Sequence, residues 1–398
     1  MMPGVAFAPG YVAKAQKSNT ESSDSPKMLI ATSVILALSL LPAVLFLRNL
    51  HLFQPPESAP ALSRPSVSIL IPARNEESRI APILESALAQ EEVDLEILVL
   101  DDHSEDRTAE IIDRFSKDDS RIRRLPGQPL PPDWGGKMFA CWQLAQEATH
   151  DWMLFLDADV EISTDSVRRV IDHARTSPVK PALVSGIPRQ RIGSWSEALL
   201  IPLIPFVMLG YLPLARLRRF PNPEYAAAVG QYMLVDRVRY LESGGHSKIK
   251  TTFHDGLGLP ATLRRSGHFT DLVDITHLAA SRMYTSFPEV WSGLLKNAGE
   301  GLGSPRVILP MTVLLIGGQV LPWLMLPLTQ GSSQLILAFA CFLTLIPRIA
   351  GKRRFHQPAW SVLVHPIGVL LLEIIQWCGF FLRIFSIPTT WKGRAKTP

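Results

Sequence analysis

Two aspartates separated by one alanine follow an apolar run of strand-forming residues at 152–156. Alternate side chains of an extended backbone point to the same side, so Asp157 and Asp159 are expected to present their carboxylates together at the tip of a buried strand. Two carboxylates suit a hard divalent cation, which keeps open positions for phosphate oxygens. The motif therefore predicts a clamp for a metal diphosphate. A surface turn after a core strand is the alternative that the motif alone leaves open.

Two similar units precede this motif and end in further acidic residues. Strands are predicted at 67–71 and 95–100, each closed by a polar loop and followed by helical spacing. Such alternation builds a mostly parallel sheet, and ligands bind at the carboxyl ends of its strands. We therefore expect Asp102, Asp106 and Asp157 to share one crevice. Helix capping is the alternative role for the acids of the second loop.

A Gly-Gly-Lys sequence lies between the second strand and the Asp-x-Asp motif. Gly135 and Gly136 at a predicted helix start allow close backbone approach, and Lys137 offers a positive charge to phosphate. The spacing of a P-loop is absent, so this is not a nucleotide-triphosphate motif of that type.

Composition indicates a membrane protein with a globular part. The chain has 398 residues, which is longer than one ordinary domain, and 47% of them are hydrophobic. The net charge of +4 comes from mixed charges without a polybasic run, which does not indicate nucleic acid binding. The three cysteines form no C-x-x-C pair, which fits a reducing compartment.

The apolar residues divide the chain into regions. About 20 consecutive apolar residues suffice to cross a bilayer as a helix, and such segments lie near both ends. The prolines at 198–217 argue against a span there and leave an interfacial segment or a buried helix. The predicted order is a disordered tail at 1–27, an anchor at 28–48, a proline-rich linker at 55–65, a soluble domain at 65–300, membrane segments at 307–328, 335–346 and 362–384 within 307–385, and a basic tail at 386–398.

Basic residues indicate the orientation of these segments. Arg348, Lys352, Arg353 and Arg354 lie between the last two segments, so this loop is expected on the cytoplasmic side. Crossings by the segments at 307–328 and 335–346 then return the chain to the side on which the soluble domain lies. A third crossing would put the basic tail outside, so the last segment is either re-entrant or an exception to the rule.

The motifs, taken in order, resemble those of family 2 glycosyltransferases of the GT-A fold. The resemblance rests on 67–76, 99–108, 136–137 and 157–159, and extends over about 65–300. It implies an α/β, Rossmann-like catalytic domain with a mostly parallel sheet, attached here to transmembrane helices. It also implies an inverting transferase that uses a nucleotide-diphospho-sugar and Mg²⁺ or Mn²⁺.

The same resemblance implies roles for individual residues. The nucleoside pocket would be lined by Ala73, Glu76 and Asp102, with Lys137 approaching it, while Asp157 and Asp159 would hold the metal diphosphate. Gly230 and Gln231 fall in a region that faces donor sugar and acceptor in the family. Asp255 matches the family's catalytic base, although His254 replaces the acid that usually precedes it.

Residues 282–284 and 291–297 resemble a subgroup of membrane glycosyltransferases that act on lipids, including carotenoid- and hopanoid-associated enzymes. The Gln-x-x-Arg-Trp string of processive synthases is absent from the sequence, which favours transfer of a single sugar. The prediction is a multi-pass cell-membrane enzyme with a cytoplasmic catalytic domain and a lipid or membrane-proximal acceptor. The rivals are a processive polysaccharide synthase, a nucleotidyltransferase and a non-catalytic nucleotide-binding scaffold.

Overall fold

The computed structural model describes residues 25–57, 63–252, 254–385, 387, 389–391 and 394–396. The predicted disordered tail lies outside the described residues up to position 24, as do positions 58–62 of the predicted linker.

The strands lie mainly between residues 66 and 281. They are β1 (Ser66–Ala73), β2 (Asp94–Asp101), β3 (Ile122–Pro126), β4 (Trp152–Leu156), β5 (Val160–Ile162), β6 (Leu183–Gly186), β7 (Arg189–Gln190), β8 (Tyr232–Asp236), β9 (Thr270–Val273), β10 (Ala279–Ser281), β11 (Thr389–Trp391) and β12 (Arg394–Lys396).

The helices surround the sheet and continue into the apolar ends of the chain. They are α1 (Pro26–Leu52), α2 (Ile80–Leu88), α3 (Thr108–Asp118), α4 (Gly136–Glu147), α5 (Ser166–Thr176), α6 (Trp195–Leu200), α7 (Leu203–Tyr211), α8 (Leu214–Arg219), α9 (Arg237–Ser243), α10 (Asp255–Arg265), α11 (Phe287–Ala298), α12 (Ile308–Leu315), α13 (Leu321–Met325), α14 (Gly331–Arg354), α15 (Trp360–Leu363) and α16 (His365–Ile384).

The central sheet has the strand order β3-β2-β1-β4-β8-β6-β9. All neighbouring pairs are parallel except those of β8, which runs antiparallel to both β4 and β6. Helices cover both faces, so the strands are nearly continuous apolar runs. On β1, for example, Ile69 and Ile71 are buried on the side of α2 and α5, whereas Leu70 is buried on the side of α4 and α10. The predicted mostly parallel sheet is confirmed.

The loops that follow β1, β2 and β4 leave the sheet at one edge. The parallel register pairs Ala73 with Asp101, and Leu70 with Phe155 on the other side. The polar strand ends are therefore neighbours, as the alternating pattern predicts.

A small second sheet, β5-β10-β7, stands beside this edge. Ser281 on β10 pairs with Val160 on β5 and with Gln190 on β7. This pairing brings a segment from the end of the domain against the Asp-x-Asp turn.

Four helical segments are long and apolar enough to cross a membrane: Pro26–Leu52, Ile308–Leu328, Gly331–Arg354 and His365–Ile384. The second contains a π-helical turn at Ile316–Val320, where Gly318 lies against α1 and its carbonyl accepts a hydrogen bond from the Ser39 hydroxyl at 2.7 Å. Small residues allow such close helix crossings. The third span is longer than the predicted 335–346, because Pro347 lies inside the helix and does not end it.

The proline-interrupted segment at 198–217 forms α6, α7 and α8 and is mostly buried. Phe206 and Leu209 of α7 pack in one apolar cluster with Phe46 of α1. The Asn49 amide of α1 donates to the carbonyl of Leu209 at 2.8 Å. The segment therefore packs against the first candidate span.

Polar contacts connect the sheet domain to the candidate membrane spans. Arg354, the last residue of α14, forms an ion pair with the buried Asp274 and donates to the carbonyl of Phe53 at 2.5 Å. The Asp274 amide donates to the carbonyl of Gln54 at 3.0 Å, just after α1. These contacts connect the first span, the third span and the sheet at one point.

Candidate active site

Hydrogen bonds from backbone amides to side chains connect the loops that follow β1 and β2. The amide of Glu76 donates to the Thr108 hydroxyl at 2.7 Å, and the amide of Asn75 donates to the Ser104 hydroxyl at 3.0 Å. Asn75 has a φ of 53°, a left-handed conformation that asparagine tolerates. The two loops are thus held as one unit at the sheet edge.

Asp106 has a different role from the one expected in a shared crevice. Its carboxylate accepts hydrogen bonds from the amide and hydroxyl of Thr108, at the start of α3, and from the amide of Glu77. It is the capping residue that the alternative interpretation described.

The residues predicted for a nucleoside pocket lie together at these two strand ends. Ala73 is the last residue of β1, and its carbonyl accepts from the amide of Asp102 at 2.8 Å. Arg74 donates to the carbonyl of Asp102 at 2.7 Å, and Glu76 follows two residues later. Ala73 and Asp102 are both buried.

The Asp-x-Asp motif forms a turn, not the extended backbone expected from the sequence. The strand β4 ends at Leu156, and the amide of Val160 donates to the carbonyl of Asp157 at 3.1 Å. Gln231, the residue before β8, holds this turn in place. Its backbone carbonyl accepts from the Asp157 amide, and its side chain donates to Asp159 at 3.2 Å.

Lys137 lies between two carboxylates that are far apart in the sequence. It occupies the first turn of α4, and its Nζ is 2.7 Å from Asp157 Oδ1 and 2.8 Å from Asp255 Oδ2. Three elements therefore converge at one ammonium: the end of β4 and the starts of α4 and α10. The structure brings the predicted metal ligand, phosphate-binding lysine and catalytic acid together.

The charges of this cluster shift one another's pKa values. Burial opposes the charge of Lys137, but Asp157 and Asp255 hold its pKa above the usual range. Burial and the neighbouring acids raise the pKa of Asp157, although Lys137 acts in the opposite direction. The pKa of Asp255 is lowered despite burial, because Lys137 contacts it. Both partners of the Lys137–Asp255 pair are therefore ionised near neutral pH.

Gly230 is required by its closeness to Asp255. A Cβ at position 230 would lie 2.1 Å from Asp255 Oδ1, so a side chain there would displace the carboxylate. The strand β8 begins at Tyr232, and the segment before it forms a loop against α10, with the Ala228 amide donating to the Gly256 carbonyl at 2.7 Å.

Two residues that sequence reasoning missed complete the support of Asp159. The Ser281 hydroxyl donates to Asp159 at 3.0 Å and accepts from the Gln231 side chain at 2.7 Å. The side-chain amide of Gln190 donates to the side-chain oxygen Oε1 of Gln231 at 3.0 Å. Nearby, burial and the charges of Asp159 and Asp157 raise the pKa of Tyr284 to about 12.

The donor set fits a divalent cation that arrives with a diphosphate. Within the described residues, no group of three or more His, Cys, Asp or Glu side chains forms a metal site by itself. Asp157 and Asp159 supply hard oxygen ligands, and Mg²⁺ is commonly held by one or two carboxylates together with substrate phosphates. Lys137 already shows that a cation is accommodated against Asp157.

Fold and site together define an α/β protein with acidic residues gathered at the carboxyl edge of its sheet. Residues 68–236 match the family model described as Glycosyl transferase family 2. This part of the chain is therefore similar to family 2 glycosyltransferases.

Two curated glycosyltransferases are similar to part of the chain. A 4,4'-diaponeurosporenoate glycosyltransferase of Staphylococcus haemolyticus is 26% identical over 251 residues, which are 63% of this chain and 65% of the relative. The namesake from Staphylococcus aureus is 25% identical over 263 residues, again 63% of this chain and 66% of the relative. The similarity thus spans slightly less than two thirds of each relative.

A solved structure shares the fold over most of the chain. A mannosyltransferase from Pyrobaculum calidifontis, in complex with GDP-Man and Mn²⁺, superposes with a TM-score of 0.56 at 16% identity. The superposition covers 90% of this chain and 99% of the mannosyltransferase. The GT-A architecture therefore extends to this protein.

Proposed function

We propose that this protein is a membrane-bound inverting glycosyltransferase that moves a single sugar from a nucleotide-diphospho-sugar to a lipid or membrane-proximal acceptor. The observation that carries the proposal is the position of Lys137 between Asp157 and Asp255. In this position, the Lys137 ammonium, the candidate phosphate-binding charge, contacts both the candidate metal ligand Asp157 and the candidate base Asp255.

Asp255 is the base of the proposed reaction. Inversion requires a base beside the acceptor hydroxyl, on the sugar face opposite the leaving diphosphate, and a carboxylate suits this task. As the hydroxyl oxygen bonds to the anomeric carbon, Asp255 takes the proton and the bond to the diphosphate breaks. Lys137 supplies positive charge at the diphosphate end. A bound Mg²⁺ or Mn²⁺, held by Asp157 and Asp159, would neutralise charge on the departing diphosphate.

Ala73, Glu76 and Asp102 are proposed to bind the nucleoside, and Gly230 and Gln231 to face the sugar and acceptor. The first three lie at adjacent strand ends, as a nucleoside pocket requires. Gln231 contacts the Asp-x-Asp turn, and Gly230 contacts the candidate base.

A lipid acceptor is supported by the spans and by the relatives. Four candidate spans would hold the site beside a membrane, and the relatives are named for 4,4'-diaponeurosporenoate. The basic end of α14 supports a cytoplasmic catalytic domain, where nucleotide sugars are made.

The reacting group of the acceptor determines how much Asp255 contributes. A hydroxyl must lose its proton as it attacks, whereas a carboxylate, such as the one in the relatives' named substrate, already has none to lose. Asp255→Asn should therefore slow transfer to a hydroxyl by roughly 10²- to 10⁴-fold. A smaller loss would indicate a carboxylate acceptor.

The test combines donor binding with product analysis on the purified full chain. Thermal-shift screening of nucleotide sugars with Mg²⁺ and Mn²⁺ identifies the donor, because a ligand of the folded state raises the melting temperature. Asp255→Asn should keep this shift and lose transfer. The control is Asp133→Asn, which alters an exposed Asp–Lys pair of similar geometry.

Loss of donor binding in Asp255→Asn would make Asp255 structural and contradict its role as base. Products carrying one sugar per acceptor are expected, whereas long sugar chains would favour a processive synthase.

A further inference from the structure

A basic cavity lies between the end of the first span and α8. It has a volume of about 550 Å³ and is lined by residues of α1, α8 and the segment that follows α8. Arg48 comes from α1, whereas Arg216 and Arg219 come from α8. The lining shares no residue with the candidate active site.

The three arginines are exposed and have no carboxylate partner within the described residues. Arg218, on the same helix, differs: it forms an ion pair with the buried Asp271 at 2.7 Å and donates to two backbone carbonyls. The helix dipole favours cations at the end of α8, but it does not explain why Arg48 joins them from another helix. A shared anionic ligand explains all three.

The cavity lies at the level where the span becomes polar. The outward face of α1 is apolar through Val44 and Leu47, which are 56% and 45% exposed, and Arg48 is the next residue. This is the boundary between acyl chains and headgroups for a helix that crosses the bilayer. Leu45 also lines the cavity, so that apolar and basic surfaces meet there.

A buried polar atom adds a second feature. Asn49 lines the cavity and is 1% exposed, and its Nδ2 is used by the carbonyls of Leu209 and Leu212. Its Oδ1 is buried and has no partner within the part of the chain that the structure describes.

We propose that this cavity binds the headgroup of an anionic phospholipid at the membrane surface that faces the catalytic domain. Arginine guanidinium groups match phosphate oxygens in charge and in hydrogen-bond geometry. The volume is in the range of small-molecule sites and admits a glycerophosphate headgroup. The acyl chains extend along α1 below Arg48.

The test measures lipid binding to the full chain in detergent by native mass spectrometry. Phosphatidylglycerol and phosphatidylcholine are compared as probes, and a competition arm adds inorganic phosphate. The wild type should bind one phosphatidylglycerol in preference to phosphatidylcholine. The double variant Arg216→Gln/Arg219→Gln should bind it roughly 25-fold more weakly, since each juxtamembrane arginine contributes about fivefold.

The matched control is Arg114→Gln/Arg175→Gln, which removes two exposed arginines from α3 and α5, two helices that cover the central sheet. Arg114 lies 5.7 Å from the ring of the adjacent Phe115, as Arg219 lies 5.3 Å from that of Phe220. This control should bind phosphatidylglycerol like the wild type. Arg48→Gln alone should weaken binding about fivefold, which tests the contribution of α1 independently of α8.

Each of three results would overturn the proposal: equal binding of the two lipids by the wild type, unchanged binding in the double variant with a wild-type melting temperature, or unchanged binding in Arg48→Gln. Displacement of the lipid by inorganic phosphate at matched concentration would also overturn it, because the site would then recognise free phosphate and not a membrane headgroup.

Discussion

A single methyl group at position 230 should disable the candidate base by displacing its carboxylate. In Gly230→Ala, the new Cβ would start 2.1 Å from Asp255 Oδ1, and an ordinary contact requires 3.4 Å. The oxygen must therefore retreat by 1.3 Å, which rotates the carboxylate and disturbs its contact with Lys137. A misplacement of about 1 Å can reduce a rate by roughly 100-fold.

The assay is the initial rate of transfer at saturating donor, together with donor affinity from thermal shift. Gly230→Ala should lose about two orders of magnitude in rate and keep its donor affinity within a few fold. The control is Gly301→Ala, because a Cβ there would be 3.9 Å from a His254 ring atom and no closer than 3.5 Å to any neighbour. A Gly230→Ala enzyme that is folded and transfers at the wild-type rate would refute the argument.

Three further perturbations test other parts of the structure. Lys137→Met leaves the buried Asp255 and the partly exposed Asp157 without their shared cation and should destabilise the fold by about 3 kcal/mol, the lower end for a buried ion pair; Mn²⁺ should raise the melting temperature of this variant more than that of the wild type. Asp159→Ala should retain the fold and lose metal-stimulated transfer, so a wild-type response to Mn²⁺ titration would count against the proposed metal site. Arg218→Gln should lower the melting temperature at neutral pH, since the buried Asp271 has a lowered pKa, against the effect of burial, through His173 and Arg218. That stabilisation is present above the unfolded pKa of about 4 and is lost as the pH falls through the folded pKa, so the difference between variant and wild type should narrow in acid; a constant difference would contradict it.

The sheet and the convergence of acids follow from local patterns. Apolar runs closed by polar loops at 67–71, 95–100 and 152–156 predict three strands, and parallel pairing brings their ends together. The helix α9 ends at Gly244, whose φ of 82° is the left-handed conformation that favours glycine at a helix end.

The features that the sequence did not disclose depend on long-range packing. Ser281 lies on a three-residue strand whose partner strand is more than a hundred residues away, so no local pattern marks it. Pro347 predicts a helix end, but a buried position between neighbouring helices tolerates proline. In the sequence, Gly230 resembles an ordinary loop glycine. Its need for a small residue follows only from the position of the Asp255 carboxylate in the fold.

The Arg354–Asp274 contact joins the first candidate span, the third candidate span and the end of β9 at one point. Under the proposed function, this contact would hold the site at a fixed height above the lipid surface. A lipid acceptor would then have to extend its reacting group out of the bilayer by that height. The distance between a lipid's buried anchor and its polar end would thereby become a criterion for which molecules are glycosylated.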